Sequence, residues 1–171
     1  MSTSLEVELA RDLMSGKEES FDRFVETFRN KIFQYSYLMC GHREHAEEVS
    51  QETLLKVFEN FDQLREPERV KSWVFRIARN ACLMKRRKSV FAPPRELSLE
   101  QFLPHADHDG GEVQLQIADW SALPETQVLR SELRAVLEEA ISQLPDIYRS
   151  VILLRDVEEL STWEAAEVLD V

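Results

Sequence analysis

The residues best suited to do chemistry sit together, between Arg65 and Arg95. This stretch holds ten Lys or Arg against two acids, a net of +8, in a 171-residue chain whose total is −11; everything else therefore sums to −19. One basic island in an acidic protein is the electrostatic footprint of a polyanion-binding surface. Arg65, Arg69, Lys71, Arg76, Arg79 and Asn80 lead into the run Lys85, Arg86, Arg87 and Lys88. Guanidinium and amide groups can hydrogen-bond base edges, an aromatic ring can stack, and ammonium groups can neutralise phosphates. Single-stranded or distorted nucleic acid uses all three. The plainer alternative is a solvated helix whose basic end suits its own macrodipole.

Other chemistries find little support. The chain shows no nucleophile–base pair, no Gly-rich phosphate loop and no convincing metal set, so an enzyme is not expected, nor a cofactor. His105 and His108 with Asp107 and Asp109 could in principle chelate a cation, but they read as surface residues of a polar segment. Cys40 and Cys82 lie far apart on apolar stretches without metal-ligand spacing and read as buried free thiols in a reducing cytosol. No signal peptide or membrane-length apolar run is seen, which points to a cytoplasmic protein without membrane insertion.

Four glycines and few alternating runs predict a mostly helical chain. Leu5, Leu9 and Leu13 share a face of a first short helix, with Ser4 as cap and Gly16 as stop. Phe21, Phe24, Val25, Phe28, Ile32, Tyr35 and Met39 stripe a second helix from about Glu18 to Cys40, which Gly41 can end. A third, from about Glu44 to Phe61, is expected to bury Ala46, Val49, Thr53, Val57, Phe58 and Phe61, with Glu47, Glu48, Gln51 and Glu52 on its other face. In the basic helix, Val70, Trp73, Val74, Ile77, Ala78 and Ala81 form the buried stripe. From Ala92 to Thr126 come four of the six prolines and seven acids against one Arg, which reads as a long acidic linker. Beyond it, Val128, Leu129, Leu133, Val136, Leu137, Ala140, Ile141 and Leu144 predict a broad apolar helical face. Pro145 opens a helix carrying Ile147, Tyr148, Val151, Ile152 and Leu154. Ser161 and Glu164 stand in capping-box relation ahead of Trp163, Ala165, Ala166, Val168 and Leu169. A helix, a short turn and a helix opening S-T-W-E-A-A is how a helix-turn-helix begins, and the sequence ends at Val171 without a recognition helix. The expected fold is all-α: two small helical domains, 1–91 and 127–171, joined by the linker at 92–126, the second an incomplete helix-turn-helix domain.

Three segments resemble bacterial RNA polymerase sigma factors of the extracytoplasmic-function (ECF) type, in the sigma-70 family. Ala46 to Thr53 is similar to the acidic helix with which the family docks on polymerase. Ser72 to Asn80 resembles its promoter-melting segment. Leu144-Pro145, with Tyr148, Val151, Leu154 and Leu160 to Val171, resembles the opening of its second DNA-binding domain. His45 departs from the acid usual at the start of the docking segment, Met84 from the Asp that many members carry, and the linker is long.

The resemblance implies a promoter-recognition subunit that directs polymerase to promoters and helps melt the downstream element. Its partners would be core RNA polymerase, promoter DNA as a melted single strand, and an anti-sigma factor. Polymerase binding would fall to Glu47, Glu48, Gln51 and Glu52. DNA binding would fall to Arg65, Arg69, Lys71, Arg76, Arg79, Asn80, Lys85, Arg86, Arg87 and Lys88. Trp73, on the apolar stripe, reads as a core anchor before a base-stacking group. Two other readings stay open: a helical adaptor that binds an anti-sigma factor or other protein partner with vestigial DNA contact, and a conventional helix-turn-helix regulator.

Overall fold

The computed structural model describes residues 4–91 and 124–171. Every regular element among them is helical: α1 (Leu5–Met14), α2 (Phe21–Cys40), α3 (Arg43–Glu59), α4 (Val70–Phe91), α5 (Pro124–Ser142), α6 (Asp146–Ile152) and α7 (Thr162–Leu169). Short 3₁₀ turns at Glu18–Ser20, Phe61–Gln63 and Pro67–Arg69 lead into or out of the first four, and a π-type turn at Leu153–Val157 follows α6. Most of the acidic linker, with His105, His108, Asp107 and Asp109, lies outside the described residues; its expected last residues, from Pro124, already belong to α5. No helix among the described residues is long and apolar enough to cross a membrane.

The core starts from α2. Phe24, Phe28, Ile32, Tyr35 and Met39 recur at helical spacing and are all buried. Each such apolar side chain contributes about 1.5–3 kcal/mol when fully removed from water. Gly41 closes α2 in the left-handed region at φ +74°, a conformation without penalty only for a residue lacking Cβ. That turn lets α3 fold back along α2, burying Ala46, Val49, Thr53 and Val57. The basic helix α4 then packs on both, entered through Pro67 at the first position of its 3₁₀ turn, where the missing N–H costs nothing.

Several burial expectations need correction. Phe58 is 61 % exposed and packs edge-to-face with the Phe21 ring, 5.3 Å between centroids. Leu5 is exposed, and Val7, Leu9 and Ala10 form the inner face of α1 instead. Phe75 and Cys82 lie off the expected α4 stripe yet are fully buried; the Phe75 ring meets Tyr35 of α2 at 5.5 Å. The C-terminal segment covers α4 as well. Leu153, Leu154, Leu160, Ala165, Val168 and Leu169 join the same hydrophobic cluster as the α1–α4 residues, with α7 lying along α4.

That docking leaves the opposite side of α5 and α6 open. Leu133, Val136 and Leu137, expected in a core, are exposed, as are Ile147, Tyr148 and Val151. Trp163 is 83 % exposed although its neighbours Ala165 and Val168 are buried. The helix start behind it follows expectation. Ser161 Oγ accepts from the Glu164 N–H at 3.2 Å, and the Glu164 carboxylate accepts from the Ser161 N–H at 2.7 Å, a complete capping box.

Candidate nucleic-acid interface

The 3₁₀ turns before α4 and the first two turns of α4 enclose a cleft of about 210 Å³. Arg65, Arg69 and Arg76 line it with Ser72, Trp73 and Gln63, while Leu64 forms part of its apolar floor. The spacing explains the convergence: Arg69, Ser72, Trp73 and Arg76 lie three or four residues apart and so share one side of the helix. Trp73 is half-buried, its ring set edge-on to Phe61 at 6.2 Å, so it anchors the core and also offers a surface to the cleft. A hollow of this kind, with guanidinium groups at the rim and an aromatic wall, matches what an unstacked nucleobase needs.

Glu167 of α7 also lines the cleft. It is one of several C-terminal groups that meet the expected DNA-binding cations. Arg69 pairs with Glu167 at 3.1 Å and with Glu66 at 2.9 Å. Arg76 pairs with Asp170 at 2.7 Å. Arg86 pairs with Asp146. Lys71 donates to the Glu158 backbone carbonyl at 2.6 Å. Lys85 reaches the other way, to Glu48 on α3. Arg65, Asn80, Arg87 and Lys88 are exposed, and Arg79 is half-buried. The structure thus gathers Arg65, Arg69 and Arg76 at the cleft and places Lys85 to Lys88 two turns and more further along α4.

On α3 the four expected polymerase-binding residues all face outward. Glu47 pairs with Arg43 at 3.1 Å and Glu52 with Lys56 at 2.6 Å, both at one-turn spacing. The hydrogen bond from Lys85, and that ammonium's charge, hold the Glu48 carboxyl below its ordinary range.

Three sets of contacts that no motif singled out hold the C-terminal segment in place. Arg149 is buried, and its guanidinium donates to the carbonyls of Met39 (3.0 Å), Ile141 (3.1 Å), Leu144 (2.9 Å) and Ser142, tying the α5–α6 turn to the end of α2. The Tyr35 hydroxyl and Ser150 Oγ share a buried hydrogen bond of 2.8 Å. Glu158 is buried against α1, α2 and α4. Lys31 stands 3.9 Å away and itself bonds Glu6 at 2.8 Å. Burial pushes the Glu158 carboxyl up to about 7, against the attraction of Lys31 and Lys71 and with a smaller contribution from Glu6 and Glu159.

Comparison with known proteins decides the family. Residues 24–90 match the family model for Sigma-70 region 2, and residues 134–171 match Sigma-70, region 4. The ECF RNA polymerase sigma factor SigW of Bacillus subtilis is 31% identical over 161 residues, which cover 94% of this chain and 83% of SigW. The chain belongs to the ECF RNA polymerase sigma factors. The sigma-E factor of Haemophilus influenzae is 26% identical over 164 residues, covering 95% of this chain and 82% of the relative. In fold, the sigma factor is similar to CnrH, solved in complex with the cytosolic domain of CnrY, with a TM-score of 0.61 at 21% identity over 98% of this chain and 84% of the other. This sigma factor is accordingly a promoter-recognition subunit of RNA polymerase and a DNA-binding transcription initiation factor. The cleft and most of the basic helix fall in its region 2 match, and the acids that cover them, Asp146, Glu167 and Asp170, fall in its region 4 match.

Proposed function

We propose that the cleft at the start of α4 holds an extruded base of the melted promoter strand between Arg65, Arg69 and Arg76, with Lys71, Arg79 and Asn80 reading the strand outside the cleft and Lys85 to Lys88 as the phosphate track. The observation that carries this reading is the convergence of three guanidinium groups and Trp73 on one hollow. Taking a base out of the stack costs a few kcal/mol, which stacking at roughly 1–3 kcal/mol per base offsets. The acidic face Glu47, Glu48, Gln51 and Glu52 docks on a basic surface of core polymerase. Residues 1–91 and 127–171 act as two units that separate when polymerase and promoter are engaged, since DNA and the C-terminal acids compete for Arg69, Arg76 and Arg86. An anti-sigma factor as further partner and a cytoplasmic site of action complete the proposal; the structurally similar CnrH was solved in complex with a protein domain, the cytosolic domain of CnrY.

The test separates reading from holding. In the polymerase complex, removing the four charges at Lys85, Arg86, Arg87 and Lys88 should weaken all promoter sequences alike. It should also flatten a log–log salt slope of about −3, the value for four phosphates on a single strand. Alanine at Arg76 and Asn80 should instead blunt discrimination between promoter sequences in run-off transcription. A uniform loss in both mutants would show that the basic helix positions DNA without reading it.

A further inference from the structure

A second hollow, of about 290 Å³, lies between the second half of α2, the first residue of α3 and the middle of α5. Phe33 and Tyr37 line it from α2, Arg43 from α3, and Arg134 and Glu138 from α5. None of the five belongs to the DNA or polymerase surfaces described above. Phe33 and Tyr37 stand one turn apart and off the buried stripe of Ile32, Tyr35 and Met39, so they share an outer side of α2. Their rings lie nearly parallel, 12° between planes and 6.3 Å between centroids, and Tyr37 is exposed. The left-handed turn at Gly41 brings the chain back so that Arg43 opens α3 beside them. The packing of α5 on α2 supplies the other wall.

The polar groups are fixed but not used up. Arg43 donates from Nε to Glu47 at 3.1 Å, and Arg134 donates from Nε to Glu138 at 2.8 Å. The terminal Nη groups of both take no protein partner among the described residues. A guanidinium anchored through Nε keeps the donors that suit a phosphate oxygen pair. Glu138 is half-buried, and a carboxylate accepts about four hydrogen bonds, of which Arg134 takes one. One hollow thus combines an aromatic surface, a carboxylate with spare acceptors and two sets of unused guanidinium donors.

We propose that this hollow is a guanine-nucleotide site. The base stacks on the Phe33–Tyr37 pair, its N1–H and exocyclic amino group donate to Glu138, and Arg43 and Arg134 hold the phosphates. Adenine would turn a ring-nitrogen acceptor toward the carboxylate and is disfavoured there. The volume sits at the small end, about 300 Å³, of the range for ligand pockets, which suits a mononucleotide and no longer strand. The walls come from both matched regions, α2 and α3 from region 2 and Arg134 and Glu138 from region 4. A ligand that touches all three helices binds the docked arrangement and stabilises it by mass action. A guanine nucleotide would therefore oppose promoter engagement. That consequence rests on the separation proposed above; the site itself rests only on the docked geometry.

The experiment titrates the full chain with GDP, ADP, guanosine and pyrophosphate by calorimetry. GDP should bind at one site per chain, and ADP, guanosine and pyrophosphate each at least about tenfold more weakly. Glu138→Gln should shrink the preference for GDP over ADP to less than about threefold. The double variant Arg43→Gln with Arg134→Gln should lose GDP affinity while its circular dichroism spectrum stays that of wild type. The four wild-type titrations need no variant and decide even if a substitution disturbs the fold. No saturation by GDP up to about 5 mM, ADP or pyrophosphate binding as tightly as GDP, or GDP affinity unchanged in the double arginine variant would each overturn the proposal. Saturating GDP should also lower the affinity of the free chain for single-stranded DNA several-fold in fluorescence anisotropy. GDP binding with unchanged DNA binding would uphold the site and overturn the separation alone.

Discussion

Glu158 should make the packing of the C-terminal segment on α1, α2 and α4 sensitive to pH. Its carboxyl is nearly sealed from solvent, and burial raises it from 4.5 to about 7. A shift of that size means the docked arrangement disfavours the ionised carboxylate by about 3 kcal/mol relative to a solvated chain. The sign follows from proton uptake: docking takes up a proton wherever the separated carboxyl would be ionised. The stability linked to Glu158 is therefore fully present below about 4.5 and is lost as pH rises through about 7. Glutamine at this position has the shape of the protonated acid and never ionises. Glu158→Gln should leave stability at about pH 4 nearly unchanged and raise it at about pH 8 by up to about 3 kcal/mol. Thermal unfolding of wild type and variant across that range, with a donor–acceptor dye pair on α3 and α7 reporting separation, measures both quantities. Parallel pH profiles for the two proteins would refute the reasoning, because they would mean that the carboxylate is solvated in the docked arrangement.

Reversing Glu167 and Asp170 to Lys removes two covering acids and places cations beside Arg69 and Arg76. Exposed pairs contribute only about 0.2–1 kcal/mol each, so the fold should survive while single-stranded DNA binding by the free chain, read by fluorescence anisotropy at low salt, rises several-fold. Reversing Glu48 and Glu52 to Lys breaks the contacts with Lys85 and Lys56 at the surface. Core-polymerase affinity should fall, while the circular dichroism spectrum and melting profile stay close to wild type. Arg149→Met removes the guanidinium donor from the carbonyls of Met39, Ile141, Ser142 and Leu144. The expected loss is about 3 kcal/mol or more, seen in chemical denaturation as easier release of the C-terminal segment.

Helical periodicity made the inner faces of α2 and α3 legible, because the buried residues of each recur at helical spacing. It was less informative for α4: the spacing of Val70, Val74, Ala78 and Ala81 finds one face, and nothing local marks Phe75, against Tyr35 of α2, and Cys82 as buried beside it. The reverse error arose on α5 and α6. Leu133, Val136, Leu137, Ile147 and Tyr148 carry the pattern of a core face, but a pattern says which side is apolar and not whether anything lies on it. The Ser161–Glu164 capping box was readable because both partners lie within one turn. Arg149 was not, since its most telling acceptor, the Met39 carbonyl, lies 110 residues away in sequence and belongs to the backbone, which carries no side-chain signature. For the same reason the cations of α4 could be picked out as a DNA surface, whereas nothing in the sequence ties their partners Asp146, Glu167 and Asp170 to them.

Because those acids belong to the same chain as the cations they meet, their grip on the basic helix does not weaken on dilution. A tethered competitor acts at a fixed local concentration, on the order of millimolar for flexible joins, whatever the number of copies present. Stray nucleic acid that touches only the basic helix must outcompete it at every encounter. A partner that grips both segments at once gains from prying them apart, since each contact it makes holds the other open. Selectivity for a large, two-handed partner over abundant one-handed ligands then follows from connectivity alone, before any base is read.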